Sequence, residues 1–262
     1  IPKRDWSSDV CSSDLCGPGL GGIAPTQGDY NQAVHGGGHG DYRNIVLAPG
    51  SVQEMFDLTI KAFELADRYR NPTMIIADAM IGQFQEPCRL TPEKPVEFPE
   101  KPWALTGRRG RDPRLLKSLY LGDYEQEEHN LFLKKKYDEI QENEVMVEMQ
   151  NLDDAELIII AFGTPARVAK TAISLARAEG LKVGLIRPIT LFPFPFREIY
   201  EHSGRAKNVL VVEMNTGQMV RDVRIAAHKD ATIHFYGRPG GGFPFPDDVL
   251  DEIKKALGGG AR

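Results

Sequence analysis

Three groups of residues in this chain have the types and spacing to do chemistry. The first is the glycine-dense run CGPGLGG at residues 16–22. Gly17, Gly19, Gly21 and Gly22, with Pro18 among them, let a ligand approach the backbone closely and leave amides free to cradle an anion. No Gly-Lys-Ser/Thr follows, so this is not a Walker loop. The Gly-x-Gly-x-x-Gly spacing after a strand is not met either, so it is not a dinucleotide fingerprint. From spacing alone, a plain flexible loop is the simpler reading. The second group is His35 and His39, which flank Gly36-Gly37-Gly38. They lack carboxylate or thiolate partners at ligand spacing, which favours positioned loop histidines over a metal site. Cys16 and Cys88 cannot hold an iron–sulfur cluster, which takes four thiolates. No residue is assigned a catalytic or metal-ligating role.

The third group lies at strand ends. EMNTGQ at 213–218 closes an expected strand and opens a helix that carries Asp222 and Arg224. Arg187-Pro188 ends a second strand, and GRPGGG at 237–242 ends a third. In open α/β sheets this edge is where ligands bind and partners dock. Arg187, Glu213, Asn215, Gln218, Asp222 and Arg224 are therefore candidates for docking or ligand contact. The competing reading is a capped strand–helix turn whose i, i+2 charges point to different faces.

The elements that must position these groups are legible from periodicity. Residues 45–48 are a short apolar run. Ser51 and Glu54 then form an S-x-x-E capping box, and Val52, Met55, Phe56, Phe63 and Ala66 follow at helical spacing until Asn71-Pro72 stops the helix. Residues 73–77 read as a buried strand. Residues 85–123 are rich in proline and arginine and read as an extended linker, and residues 125–148 read as a charged, solvated helix. A second unit begins near residue 152. Expected strands at 157–162, 182–187, 208–213 and 232–236 alternate with helices, the first capped by Thr164 and closed by Gly180, the last at 247–257. Alternation of this kind implies a parallel sheet with right-handed crossovers.

The chain has 262 residues, 41% hydrophobic and 26% charged, with a net charge of −5. That composition excludes a disordered chain and a membrane bundle, and it carries no strong nucleic-acid footprint. Three cysteines exclude a disulfide scaffold and fit a reducing cytosol. The stretch IPKRDWSSDVCSSDL at 1–15 has no hydrophobic period and matches no targeting signal. Residues 5–15 match the translation of a common sequencing-adapter oligonucleotide, so 1–15 is read as an adapter-like artefact and Cys11 is set aside.

The longer motifs resemble a known family. GPGLGGIAPTQGDYNQAVHGGGHGDYRNIVLAPGSVQEM at 17–55 closely resembles the alpha subunits of the 2-oxoacid:ferredoxin oxidoreductases. LIRPITLFPFP at 185–195, EMNTGQMVRDVR at 213–224 and the GRPGGG segment resemble that subunit's second domain. KPWALTG at 101–107 and EEHN at 127–130 resemble its branched-chain, 2-oxoisovalerate (3-methyl-2-oxobutanoate) branch. The resemblance spans 17–257 in order.

It implies an α/β fold of two domains: an N-terminally truncated thiamine-diphosphate-binding (pyrimidine-type) domain at 16–90, a linker with a charged helix at 91–150, and a transketolase C-terminal-like parallel-sheet domain at 151–262. It implies oxidative decarboxylation of a branched-chain 2-oxoacid to an acyl-CoA with reduction of ferredoxin, and a place in anaerobic metabolism. Thiamine diphosphate would be shared with a beta subunit that binds the diphosphate and Mg. Iron–sulfur clusters would sit in partner subunits, among them a ferredoxin-like cluster subunit, with a gamma subunit as a further candidate. Coenzyme A would be co-substrate, and the hetero-oligomer would be cytoplasmic with no nucleic-acid or membrane partner. The family's pyrimidine-activating glutamate and substrate-facing arginine have no counterpart here, the latter falling at about Leu15. Only loop positions carry over: Gly17, Pro18, Gly19, Gly21, Gly22, Thr26, Gln27 and Asp29, as the lining of an active-site mouth. The fragment alone is expected to be inactive. Alternative readings are a 2-oxoglutarate or pyruvate oxidoreductase subunit, a transketolase-like or 2-oxoacid dehydrogenase subunit, and a non-catalytic assembly module.

Overall fold

In the computed structural model, residues 13–15 (backbone alone), 24–92, 100–115 and 117–258 are described. The glycine run at 16–22 lies outside them.

Ser51 starts the first long helix, α2 (Val52–Tyr69), which follows a short α1 (Tyr30–His35). The Ser51 hydroxyl accepts from the Glu54 N–H at 3.1 Å, as the capping box requires. The reciprocal half differs from the expectation, because the Glu54 carboxylate accepts from the Gly50 N–H at 2.6 Å. Arg70 ends the helix in the left-handed conformation just before Asn71-Pro72. Around these helices run β1 (Ser13–Leu15), β2 (Ile45–Leu47) and β3 (Thr73–Ala77), followed by the short α3 (Ala79–Gln83). β1 and β2 flank β3, both parallel to it.

Residues 100–124 carry no helix or strand among the described positions. The charged helix α4 (Glu125–Asn143) follows. The chain then forms β4 (Val147–Gln150), which the sequence reading assigned to the helix and linker. β4 pairs antiparallel with β6 (Val183–Pro188) at the edge of a five-stranded sheet. Its half-exposed V-E-M-Q pattern is too short and too polar to stand out against the acidic helix before it.

That sheet has the order β4-β6-β5-β8-β9, with β5 (Leu157–Ile160), β8 (Asn208–Glu213) and β9 (Thr232–Gly237) parallel to β6. The crossovers are α5 (Gly163–Ala178), α6 (Phe196–Ala206) and α7 (Met219–Ala226), and α8 (Pro246–Gly258) closes the chain. A further strand, β7 (Thr190–Phe192), was read from sequence as part of a proline-rich turn. It leaves the second unit and pairs antiparallel with β2, so the first sheet runs β1-β3-β2-β7.

Alternation along the strands sends side chains into three cores. Ile45, Leu47 and Ile75 pack under Leu58 and Leu65 of α2 and Ile140 of α4. On the opposite face, Val46 and Ile76 join Ile158, Ile160, Ile186, Val209 and Val211 in one cluster that spans both sheets. The far face of the second sheet is covered by α5 and α8, with Ala169, Ala172, Val249 and Ile253 buried. Each valine, leucine or isoleucine among them contributes about 1.5–3 kcal/mol on burial, and each alanine less. The shared middle core is what makes the two units pack as one body.

Candidate functional site

The carboxyl ends of the second sheet's strands meet residues 26–35 of the first unit, and the polar residues there form a buried seam. β8 ends at Glu213, whose carboxylate takes the N–H groups of Gln218, Met219 and Val220 at 3.2, 2.9 and 2.9 Å and the Asn215 amide at 2.9 Å. The side chain therefore caps α7 from the preceding strand, where a positive helix end favours a negative charge. Burial nevertheless pushes its carboxyl up from the ordinary range, because these four donors only partly offset the loss of water.

Asn215 accepts from the Gly217 N–H at 2.7 Å and donates to the Gln27 carbonyl at 2.9 Å. Gln218 donates to the Gly28 carbonyl at 2.6 Å and accepts from the Asn31 N–H at 2.8 Å. Gln27 is engaged at both ends of its amide, donating to the Phe162 carbonyl and accepting from the Met214 N–H, each at 3.0 Å. Thr26 donates to the Met214 carbonyl at 3.0 Å. Asp222, buried on α7, accepts from the Tyr30 hydroxyl at 2.6 Å and pairs with His35 Nε2 at 3.0 Å. Burial, reinforced by Asp222, drives the Tyr30 hydroxyl well above its ordinary pKa, so it stays a proton donor. Arg224, two residues on, faces solvent.

A second polar knot lies beside this seam. Asp78 follows β3 and caps α3, accepting from the Met80 and Ile81 N–H groups at 3.1 and 3.2 Å. The same carboxylate accepts from the Thr164 N–H at 2.9 Å and hydroxyl at 2.7 Å. One buried acid thus closes two helix N-termini from different units. Thr164 was expected to cap α5, but it sits inside the first turn and donates its hydroxyl to Asp78; Phe162 holds the cap position without a side-chain bond. Gly163, at φ +59°, is the left-handed hinge between them.

Arg187, at the end of β6, is buried and forks onto Glu54 of α2 through Nη1 and Nη2 at 2.9 and 2.6 Å, while its Nε donates to Glu148 of β4. Burial opposes its charge, but the two carboxylates more than offset this and hold the guanidinium protonated. Glu148 also holds Lys170 at 2.7 Å. Its burial works against ionisation, and the Lys170 and Arg187 bonds win, leaving its carboxyl below the ordinary range.

The residues proposed from sequence therefore divide. Glu213, Asn215, Gln218, Asp222, Thr26 and Gln27 come together in the seam, Asp29 flanks it at the start of α1, and Arg187 anchors a separate cluster with Glu54. Gly17, Pro18, Gly19, Gly21 and Gly22 lie outside the described residues. His35 joins the seam; no bond or ion pair links it to His39. Sequence reasoning missed Tyr30, Asp78 and Glu148. The D-A-M step after the strand carries an N-cap signal for Asp78; Tyr30 and Glu148 carry none.

A thiamine-diphosphate cradle would need polar groups aimed at open space along this edge. The buried ones described here, Thr26, Gln27, Tyr30, Asp78, Glu213 and Asn215, are bonded within the protein. Buried side-chain atoms without partners occur at Asp67, Thr73, His202 and His234, away from the edge. Two cavities open nearby, about 730 Å³ beside α4 with His35 in its lining and about 270 Å³ at the start of α2 with Glu54 and Arg187 in its lining, and Thr26, Gln27, Asp78, Glu213 and Asn215 line neither. The described residues thus supply the platform and not the cradle.

Comparison with known proteins accounts for this platform. Residues 16–150 match the pyruvate flavodoxin/ferredoxin oxidoreductase thiamine-diphosphate-binding domain, and residues 155–249 match pyruvate:ferredoxin oxidoreductase core domain II. The chain is 50% identical over 244 residues to ketoisovalerate oxidoreductase subunit VorB of Methanothermobacter thermautotrophicus, covering 92% of this chain and 68% of that protein. It is 34% identical over 254 residues to 2-oxoglutarate synthase subunit KorA of Methanothermobacter marburgensis, covering 87% and 68%. The 2-oxoglutarate:ferredoxin oxidoreductase of Magnetococcus marinus, solved with 2-oxoglutarate, coenzyme A and succinyl-CoA bound, shares the fold at a TM-score of 0.74 and 24% identity, over 90% of this chain and 46% of that one. With both domains matched in order and half of the aligned residues identical to a named subunit, the chain belongs to the 2-oxoacid:ferredoxin oxidoreductase family, on its ketoisovalerate branch.

Proposed function

We propose that this chain is the alpha-type subunit of an enzyme that oxidatively decarboxylates ketoisovalerate, releasing carbon dioxide, passing the electron pair to ferredoxin and the acyl group to coenzyme A. The observation that carries the reading is the 50% identity over 244 residues to subunits named for ketoisovalerate. In a thiamine enzyme the cofactor supplies the carbanion chemistry and the protein supplies position. Here the chain's own contribution is the seam, which locks residues 26–35 to the second domain.

A beta subunit would bind the diphosphate and Mg, and a ferredoxin-like subunit would carry the clusters; a gamma subunit remains in the proposal as a further member. The site is assigned to Gly17, Pro18, Gly19, Gly21 and Gly22. No helix among the described residues is long and apolar enough to cross a membrane, and the sparse cysteines support a cytoplasmic setting.

The test is reconstitution with the partner subunits and an assay of coenzyme A-dependent dye or ferredoxin reduction. Ketoisovalerate is expected to outrun pyruvate and 2-oxoglutarate in kcat/KM. Preference for 2-oxoglutarate would move the chain to the other branch. The purified chain alone is expected to be inactive, and turnover without partners would overturn that assignment of roles.

A further inference from the structure

We propose that residues 101–115 and 117–132 form a docking surface for another subunit of the same complex, one that presents an acidic-rimmed apolar groove. The proposal rests on the reading above that this chain works as one subunit among several.

The segment is held in place at both ends. Lys101 pairs with Asp67 at 2.6 Å, and the Arg70 guanidinium lies 5.3 Å from the centre of the Trp103 ring. At the other end Tyr120 stacks on His129 with ring centres 4.6 Å apart, and Lys117 lies 5.0 Å above the Tyr120 ring while reaching Glu125 at 3.4 Å. Between and beyond these anchors, Leu115, Leu119, Leu121, Tyr124, Leu131 and Phe132 are 61 to 83% exposed. A single exposed leucine needs no explanation, but a run of them on an anchored strap marks a contact surface. The strap ends against the cavity of about 730 Å³ beside α4, where Leu131, Tyr42, Tyr137 and Phe192 supply an apolar lining into which a partner side chain can anchor.

Charge selects the partner. Of the six cations in residues 101–124, Lys101 is taken up by Asp67 and Lys117 by Glu125, which leaves Arg108, Arg109, Arg111 and Arg114 with only Asp112 among them; Glu127 and Glu128 at the start of α4 add exposed acids beyond. Residues 108–114 are thus a basic island on a chain of net charge −5 and complement an acidic rim. A second copy of this chain fits poorly. A two-fold contact centred on these arginines would set them against themselves, like charge on like charge. The occupant is therefore a different chain.

The experiment is assembly of the complex from its separate subunits, read by native mass spectrometry and by partner Kd. One variant carries Leu115→Asp, Leu119→Asp and Leu121→Asp together; a second carries Arg108→Glu and Arg109→Glu, which alters only exposed cations. Ile225→Asp, on the exposed face of α7, is the control. Both strap variants are expected to weaken partner binding about tenfold or more, with the arginine variant also flattening its salt dependence and the control unchanged. Circular dichroism melts separate misfolding from lost docking, and the arginine variant carries the test if the leucine variant unfolds. Wild-type partner affinity in both strap variants overturns the proposal. So does loss of self-association with the partner still bound, which would make the occupant a second copy. A complex that assembles through the strap yet ignores ketoisovalerate would sink the functional reading and leave the docking surface standing.

Discussion

Replacing Arg187 by methionine tests whether the link between the two units is electrostatic. Methionine keeps the unbranched stem and removes the charge from a side chain that is 4% exposed. Glu54 then loses both bonds of the fork, and Glu148 loses the guanidinium Nε. Removing one partner of a buried ion pair costs about 3–5 kcal/mol, because the other charge is left without compensation. Here the lower end applies. Glu54 keeps the Gly50 N–H and Glu148 keeps Lys170, and both carboxylates retain some contact with water. The expected loss is thus about 3 kcal/mol, or roughly 6–12 °C in Tm for a chain of this size.

Urea denaturation of the full chain, followed by circular dichroism, reads this directly. Arg187→Lys retains a charge but not the planar fork and should lose about 1–2 kcal/mol. Adding Glu54→Gln to Arg187→Met should recover part of the loss, because no charge is then stranded at α2. A loss below about 1 kcal/mol for Arg187→Met would refute the reasoning, as would equal losses for Met and Lys. Either outcome would place the work of this contact in packing and not in charge.

Three further outcomes are expected by the same assay. Asp78→Asn turns one acceptor into a donor facing the Thr164 N–H and should cost about 2–3 kcal/mol, against about 1 kcal/mol for Thr164→Val, which removes only the hydroxyl bond. Tyr30→Phe removes a bond to the buried Asp222 carboxylate and should cost about 1.5–2 kcal/mol with no change in secondary structure. Glu213 and Glu148 should shape opposite limbs of the stability–pH profile. The folded pKa of Glu213 is raised, so its contribution is fully present below the unfolded carboxylate pKa and is lost as pH rises through the folded value; Glu213→Gln should flatten that upper limb. The folded pKa of Glu148 is lowered, so its contribution is present above the unfolded pKa and is lost as pH falls through the folded value; Glu148→Gln should flatten the acid limb.

What was legible in the sequence was what repeats at short range. The α2 helix follows from its 3.6 period and its Ser51 cap, and β5, β6 and β8 from runs of branched aliphatics between turn residues. β4 and β7 were not legible, because each is three or four residues long and is specified by the edge it joins more than by its own pattern. β1 makes the same point from the other side. Ser13–Leu15 belongs to a stretch with no hydrophobic period, yet it pairs in register with Ile75, Ile76 and Ala77. A parallel ladder asks its edge strand for backbone N–H and C=O groups, which almost any residue supplies.

The polar site was half legible for a related reason. Position at a strand's carboxyl end picked out Glu213, Asn215, Gln218 and Asp222, but it could not say what they face. Glu213 turns back on its own helix start, whereas Asn215, Gln218 and Asp222 find partners 187 to 192 residues away in the chain. The strand edge that a free sheet would offer to a ligand is occupied here by the protein's own residues 26–35. Asp78 and Asp222 each spend a buried carboxylate on donors from the facing unit, and Glu213 spends one on the start of α7, whose Gln218 side chain holds that unit. A half-satisfied acid at any of these positions would cost more than the bond it lost, since the desolvation of the charge remains. The two domains therefore have to close together or not at all. Local substitutions in the seam should consequently act on the joining of the two domains through stability, with no need for direct contact with substrate.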